Sequence, residues 1–197
     1  MTTKTLNISE EQLVDYSKAH NEPSWMTELR KKALKLTETL EMPKPDKTKL
    51  RKWDFDTFKQ HHTTGDAYTQ LTDLPKSVKE IIDVENSENL IIQHNNELAY
   101  TQVSDQAKHD GVIIEGLSEA LVNHSDLVQK YFMTKAVDVD EHRLTALHTA
   151  LVNGGIFVYV PKNTVVEHPI QYVVLHDDEQ ASFYNHVIIV TEESAEV

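Results

Sequence analysis

The sequence predicts an α+β chain, helical at its start and strand-rich at its end. Three observations carry this reading. Between Trp25 and Leu40, apolar residues recur at the three- and four-residue steps of one helix face. Between Leu90 and Val103, two apolar runs flank Asn95-Asn96, good turn chemistry that predicts a hairpin. After Gly155, three strand-like runs follow at intervals too short for crossover helices. The change of character divides the chain into an N-terminal α/β region, 1–153, and a strand-rich region, 154–197.

Ser9-Glu10-Glu11-Gln12 has the form of a capping box, and Leu13, Val14 and Tyr16 continue it into a short helix ending near Ala19. A second helix begins near Pro23, whose fixed φ suits a first turn. Its stripe is Trp25, Leu29, Ala33, Leu36 and Leu40, and Pro43 and Pro45 stop it. Arg30-Lys31-Lys32 with Lys35 is read as a solvated face of the same helix. Residues 46–73 are polar. Trp53, Phe55 and Phe58 anchor them, with Trp53 and Phe55 alternating as in a half-buried extended segment, and His61 to Asp66 is read as a mobile loop. Pro75 to Ile82 predicts a short helix, Val112-Ile113-Ile114 a buried strand, and Leu117 to Phe132 one or two helices. Asp140 to Val152 predicts another helix with Leu144, Leu147 and Leu151 on one face, closed by Asn153-Gly154-Gly155 as a glycine cap. Ile156 to Val160, Ile170 to Leu175 and Phe183 to Val190 are the three strands, with Pro161 and Pro169 beside them. Residue pattern alone leaves a sandwich, a barrel and a stacked solenoid open.

Composition excludes several functions. The chain has no cysteine, so disulfides, zinc–thiolate sites, a chain-borne iron–sulfur ligand set and a cysteine nucleophile are all unavailable. A net charge of −13 disfavours nucleic acid and anionic membrane as partners. The opening residues are polar and acidic where a signal peptide needs a basic patch and an apolar core, and no apolar run approaches the roughly 18 residues of a membrane span. A soluble, cytoplasmic protein is the expectation.

No catalytic constellation emerges. His61-His62 are adjacent and diverge on regular structure, and His142 and His148 are not spaced for one helical face. His148 reads as a hydrogen-bonded, partly buried residue, and His168 and His176 flank a strand. Asp177-Asp178-Glu179 lacks the spaced ligands and glycine of a calcium loop and reads as a solvated turn. There is no Gly-x-Ser-x-Gly elbow and no phosphate loop, and Gly154-Gly155 follows a helix where a dinucleotide fingerprint follows a strand.

Two stretches carry a family resemblance. The first is Glu22-Pro23-Ser24-Trp25-Met26 with Arg30, Ala33, Leu34, Pro43-Lys44-Pro45, Trp53 and Asp54-Phe55. The second runs from Ala146 through Asn153-Gly154-Gly155 and Ile156 to Val160-Pro161-Lys162, with Pro169-Ile170-Gln171. Together they resemble the SufB/SufD family of iron–sulfur cluster assembly proteins, on the SufD side because cysteines are absent. The resemblance implies an α+β N-terminal region followed by the first rungs of a right-handed parallel β-helix. Trp25 and Leu29 would anchor the second helix, Gly154 and Gly155 would release the chain into the first rung, and Pro161 and Pro169 would sit at corners. It implies a non-catalytic subunit that partners a SufB-like scaffold and a SufC-like ATPase. No cofactor would be bound by this chain, the iron–sulfur cluster being handled by the full complex, with reduced flavin a further candidate there. Family members are much longer, so a truncated chain is expected, with self-association through the strand His186 to Val190 as one consequence. The rival readings are a free-standing β-rich binding module and a β-helix polysaccharide hydrolase or lyase, which would want a secretion signal and a basic cleft.

Overall fold

The structure is a computed structural model that describes residues 6–57, 59 and 65–197. Its contacts fall into two compact units, one from Met1–His61 with Leu121–Val152, the other from His62–Ala120 with Asn153–Val197.

The first unit is helical. Helix α1 (Glu10–Ala19) starts with the expected capping box: Ser9 Oγ accepts from the Gln12 amide at 3.2 Å, and the Ser9 amide donates to Gln12 Oε1 at 2.8 Å. Helix α2 (Ser24–Thr39) packs on α1 and on α7 (Arg143–Leu151), and α6 is Ser125–Tyr131. The buried row of α2 is Met26, Arg30, Ala33 and Thr37. Trp25 and Leu29 lie at its margin, half-buried. The predicted stripe is therefore rotated by about one residue, and Arg30 belongs to the core and not to a solvated face. The reason is Glu22, which precedes the helix and neutralises Arg30, so an arginine takes a position that periodicity reserves for apolar residues.

Two further readings are corrected in this unit. Trp53 and Phe55 do not form a strand: Leu50–Lys52 is a turn of 3₁₀ helix, and Trp53 beyond it is 64% exposed. Asn153-Gly154-Gly155 is no helical cap, because α7 ends at Leu151 and the glycines already belong to a strand. The helix is capped at its other end, where His142 Nδ1 accepts from the Thr145 amide at 3.2 Å. Phe58 and His61 to Thr64 lie outside the described residues.

The described residues of the second unit form six strands in two small mixed sheets. Strands β1 (Asn89–His94) and β2 (Glu97–Gln102) form the expected antiparallel hairpin, with Asn95 at φ +53° in its turn. Strand β5 (Ile170–Leu175) lies parallel to β1 on the other side. In the second sheet β4 (Gly154–Val160) has β3 (Ile113–Gly116) antiparallel on one side and β6 (Asn185–Thr191) parallel on the other. Consecutive strands β4, β5 and β6 thus alternate between sheets. The sequence offset that pairs Gly154 with Asn185 holds along the whole strand and recurs in the parallel bridge Val165–Glu196. Among the described residues neither sheet closes into a barrel.

Strand β1 is buried on both faces, as a central strand with a parallel neighbour tends to be. One face sends Ile91 into a cluster with Ile114, Ile156, Val158 and Val160. The other packs Leu90 and Ile92 on Leu74, Val78 and Ile82, which surround helix α3 (Lys76–Lys79). Helix α4 (Asp105–His109) adds Ala107 to the first cluster, and α5 (Leu117–Asn123) follows β3.

Candidate functional site

Four places were predicted to matter structurally, and each has a definite geometry. On α2, Trp25 donates its indole N–H to Ser125 Oγ at 2.9 Å and meets Phe132 at a ring distance of 6.4 Å, which ties α2 to α6. Leu29 is half-buried beside it. One residue further, Arg30 donates from Nε to Glu22 Oε2 at 2.8 Å, from a terminal nitrogen to Glu22 Oε1, and from the other to the Ala150 carbonyl at 3.0 Å. Its guanidinium also lies 4.9 Å over the Tyr16 ring. Ser17 Oγ donates to the same Glu22 carboxylate at 2.7 Å. Burial pushes the Glu22 carboxyl up. The Arg30 charge and the hydrogen bonds from Arg30 and Ser17 outweigh it, so the net shift is below the ordinary range. His148 is held below its ordinary value by burial and by the Arg30 charge.

Pro161 follows β4 directly and Pro169 immediately precedes β5, so neither removes an amide from a strand interior. Gly154 and Gly155 open β4. A Cβ on Gly154 would stand 2.2 Å from Gln93 Nε2. Gly155, at φ +136°, would place one 1.9 Å from the His186 carbonyl oxygen. Glycine is required here by a close approach and a positive φ.

Around those glycines lies a polar lattice that was not foreseen. Gln93 is 3% exposed. Its Oε1 accepts from the Gly155 amide at 3.0 Å and lies 2.6 Å from the Tyr172 hydroxyl, and its Nε2 donates to the Asn95 carbonyl at 2.8 Å. The Tyr172 hydroxyl lies 2.8 Å from Asn185 Oδ1. Burial raises the Tyr172 phenol far above its ordinary value, so it stays a donor at every physiological pH. The lattice joins β1, β4, β5 and β6. Asn153 extends it, donating to the Ser182 carbonyl at 2.9 Å and accepting from the Tyr184 amide at 2.8 Å. The adjoining cavity of about 20 Å³ has room for about one water. A signal for the lattice was present: a glutamine inside the apolar run Leu90 to Gln93 must find partners if the strand is buried.

A second unforeseen group surrounds His94. Its Nδ1 accepts from the Asp66 amide at 2.9 Å, which assigns the proton to Nε2, and Nε2 faces Asp177 Oδ1 at 2.9 Å. The His94 hydrogen bond holds the Asp177 carboxyl below its ordinary value against the opposing effect of burial. A histidine–aspartate pair resembles half of a nucleophilic triad. Here a backbone amide occupies the nitrogen that would serve as base, so the pair acts as a cross-link. Asn95 Oδ1 accepts from the Asp177 and Asp178 amides, both at 3.2 Å, so this run is an ordered turn at its start.

His168 and His176 sit at opposite ends of β5, one 3.7 Å from Glu88 and the other stacked on Phe183, and do not converge. Among the described residues no group of three histidine, aspartate or glutamate side chains is placed to hold a metal ion. No described helix is long and apolar enough to cross a membrane.

Comparison with known proteins gives a consistent family. A family described as SufBD protein N-terminal region matches residues 9–172. The chain is 46% identical over 98% of its length to the iron–sulfur cluster assembly protein SufD of Bacillus subtilis, spanning 44% of that protein. It is 29% identical over 97% of its length to an iron–sulfur cluster assembly SufBD family protein of Pyrococcus horikoshii, spanning 44% of it. A SufBD family protein of Staphylococcus epidermidis is 26% identical, and the chain spans 42% of it. The chain thus covers under half the length of these relatives.

Proposed function

The chain belongs to the SufBD family of iron–sulfur cluster assembly proteins and is of the SufD type. From that premise we propose that it is a non-catalytic subunit of a cytoplasmic SufBCD assembly complex, partnering a SufB-like scaffold and a SufC-like ATPase. The observation that carries this is the family match along residues 9–172 combined with 46% identity to an iron–sulfur cluster assembly protein. The cluster is cargo in this reading. With no cysteine among these 197 residues, thiolate ligation does not come from this segment. The buried polar groups around Gln93 cross-link strands β1, β4, β5 and β6.

The fold reading belongs with this. We read β4, β5 and β6 as the first coils of a right-handed parallel β-helix. The constant offset between β4 and β6, continued at Val165–Glu196, supports it, as does the alternation of consecutive strands between sheets. Val187 and Ile189 are in register with the core residues Ile156 and Val158, yet are 46% and 59% exposed. A stack of coils expects a further apolar strand on β6.

Co-expression of the chain with SufB and SufC from its own organism, followed by size-exclusion chromatography, tests the functional reading. Co-elution with both is expected. Elution alone, from a chain that melts cooperatively, would overturn the partnership for this region. Reconstitution with iron and sulfide should leave the isolated chain without a stoichiometric visible chromophore.

A further inference from the structure

The segment from Lys47 to Lys52 is a basic stretch in an acidic chain, carrying Lys47, Lys49, Arg51 and Lys52 without a carboxylate among them, against a net charge of −13. Lys47, Lys49 and Lys52 are exposed, and none of the three makes an ion pair with a described residue. The two carboxylates beyond Lys52, Asp54 and Asp56, have partners, and Asp46 before Lys47 is exposed. Asp54 Oδ1 accepts from the Asp56 and Thr57 amides at 3.0 and 3.2 Å. Asp56 pairs with Arg143. Directly beside the lysines, Trp53 is 64% exposed and lies 6.0 Å from the Phe55 ring at an interplanar angle of 13°.

This aromatic pair is held in place. The Trp53 amide donates to the Leu50 carbonyl at 2.9 Å, closing the 3₁₀ turn. Three residues on, Asp56 is gripped by an arginine that is itself buried. The Arg143 Nε donates to the Thr37 carbonyl at 2.8 Å, and its amide to the Glu41 carbonyl at 2.9 Å. The rings therefore sit on a segment closed locally at Leu50 and tied through Asp56 to Arg143 of α7, which itself bonds the Thr37 carbonyl of α2. Trp53 is thus ordered, largely exposed and stacked on Phe55, with exposed lysines preceding it in sequence. Aromatic residues of this kind dominate binding energy where they are buried by a partner, and flanking charges set the partner's sign.

We propose that Trp53, Phe55, Lys47, Lys49 and Lys52 form a docking surface for an acidic polypeptide segment, one that places an apolar side chain on the rings and carboxylates on the lysines. The overall charge selects a short acidic segment over an extended polyanion. A nucleic acid or an anionic membrane would reach past the patch into the acidic remainder of the surface, within the roughly 10 Å range over which charge is felt. The inference stands apart from the assembly reading and does not depend on it.

The test uses the whole chain and an array of short peptides in which glutamates and aspartates flank a single phenylalanine or leucine, read by fluorescence anisotropy. Oligo-dT and phosphatidylglycerol vesicles are the competing probes. Acidic peptides are expected to bind, to weaken with added salt, and to lose about tenfold or more in affinity with Trp53→Ala and with the triple change Lys47→Glu, Lys49→Glu, Lys52→Glu. These side chains are exposed, so both variants should keep the parent melting temperature. No binding anywhere on the array overturns the proposal. So does binding that both variants retain, or tighter binding of oligo-dT or vesicles than of any peptide.

Discussion

Arg30 is enclosed by protein, so the groups around it decide whether its charge is tolerated. Glu22, the Ala150 carbonyl and the Tyr16 ring supply that surrounding. Removing one partner of a buried pair strands the other charge, so Arg30→Ala should cost about 3–5 kcal/mol in denaturant melts. The double change Arg30→Met with Glu22→Gln should cost clearly less, because no lone charge remains. Equal losses in both variants would show that packing and not charge dominates. The pair also sets a pH dependence. Glu22 titrates below its ordinary range in the folded chain, so its stabilisation is full above that range and fades as pH falls through the folded value. His148 is likewise depressed, and folding disfavours its protonated form, so its contribution also declines as pH drops below the ordinary histidine range. The helical unit should lose melting temperature on acidification, and Glu22→Gln should flatten the lower part of that profile. At Gly155 the constraint is steric. Alanine there combines a positive φ with a Cβ inside the contact radius of a backbone oxygen, and should cost at least about 1–3 kcal/mol. The same substitution at Gly116 meets only the movable end of Glu119 and should cost less.

Elements show how a pattern can be right in period and wrong in phase. Helix α2 has the predicted extent, from just after Pro23 to before Pro43, but its buried row is Met26, Arg30, Ala33 and Thr37. Met26→Ala should therefore cost about 2–5 kcal/mol, and Leu29→Ala markedly less. A larger loss at Leu29 would restore the phase read from the sequence. In the sheets, β4 lies between two neighbours and β6 has a described strand on one side alone. Amides of β4 should exchange with solvent more slowly than those of β6 in hydrogen-exchange measurements. Equal protection of the two would mean that β6 is covered in solution, by another copy or by a closed arrangement. The hairpin of β1 and β2 was readable because a two-residue asparagine turn dictates local pairing.

At the scale of the whole molecule, charge is the clearest property. A net −13 spread over 197 residues makes self-repulsion a general cost of compactness. Raising ionic strength from low to physiological should therefore raise the melting temperature of the chain. Salt would lower it instead if the exposed pairs, such as Lys44 with Glu41 and Lys162 with Glu193, outweighed that repulsion. Exposed pairs contribute little individually, which favours the first outcome.

By itself the sequence determined most of the helices and strands, the capping box at Ser9, the Asn95-Asn96 hairpin, the lack of cysteine in these 197 residues and the family. Each depends on composition or on residues within a few positions of one another, where backbone geometry leaves few choices. Tertiary structure alone decided that Arg30 is core, that β1 takes β5 as a parallel neighbour, and that Gln93, Tyr172, Gly155 and Asn185 share one lattice. It also decided that His94 is closed off by Asp66 and Asp177. These arrangements join residues far apart in the chain. A buried polar group is tolerated when a partner meets it, and local pattern cannot show which distant segment supplies that partner.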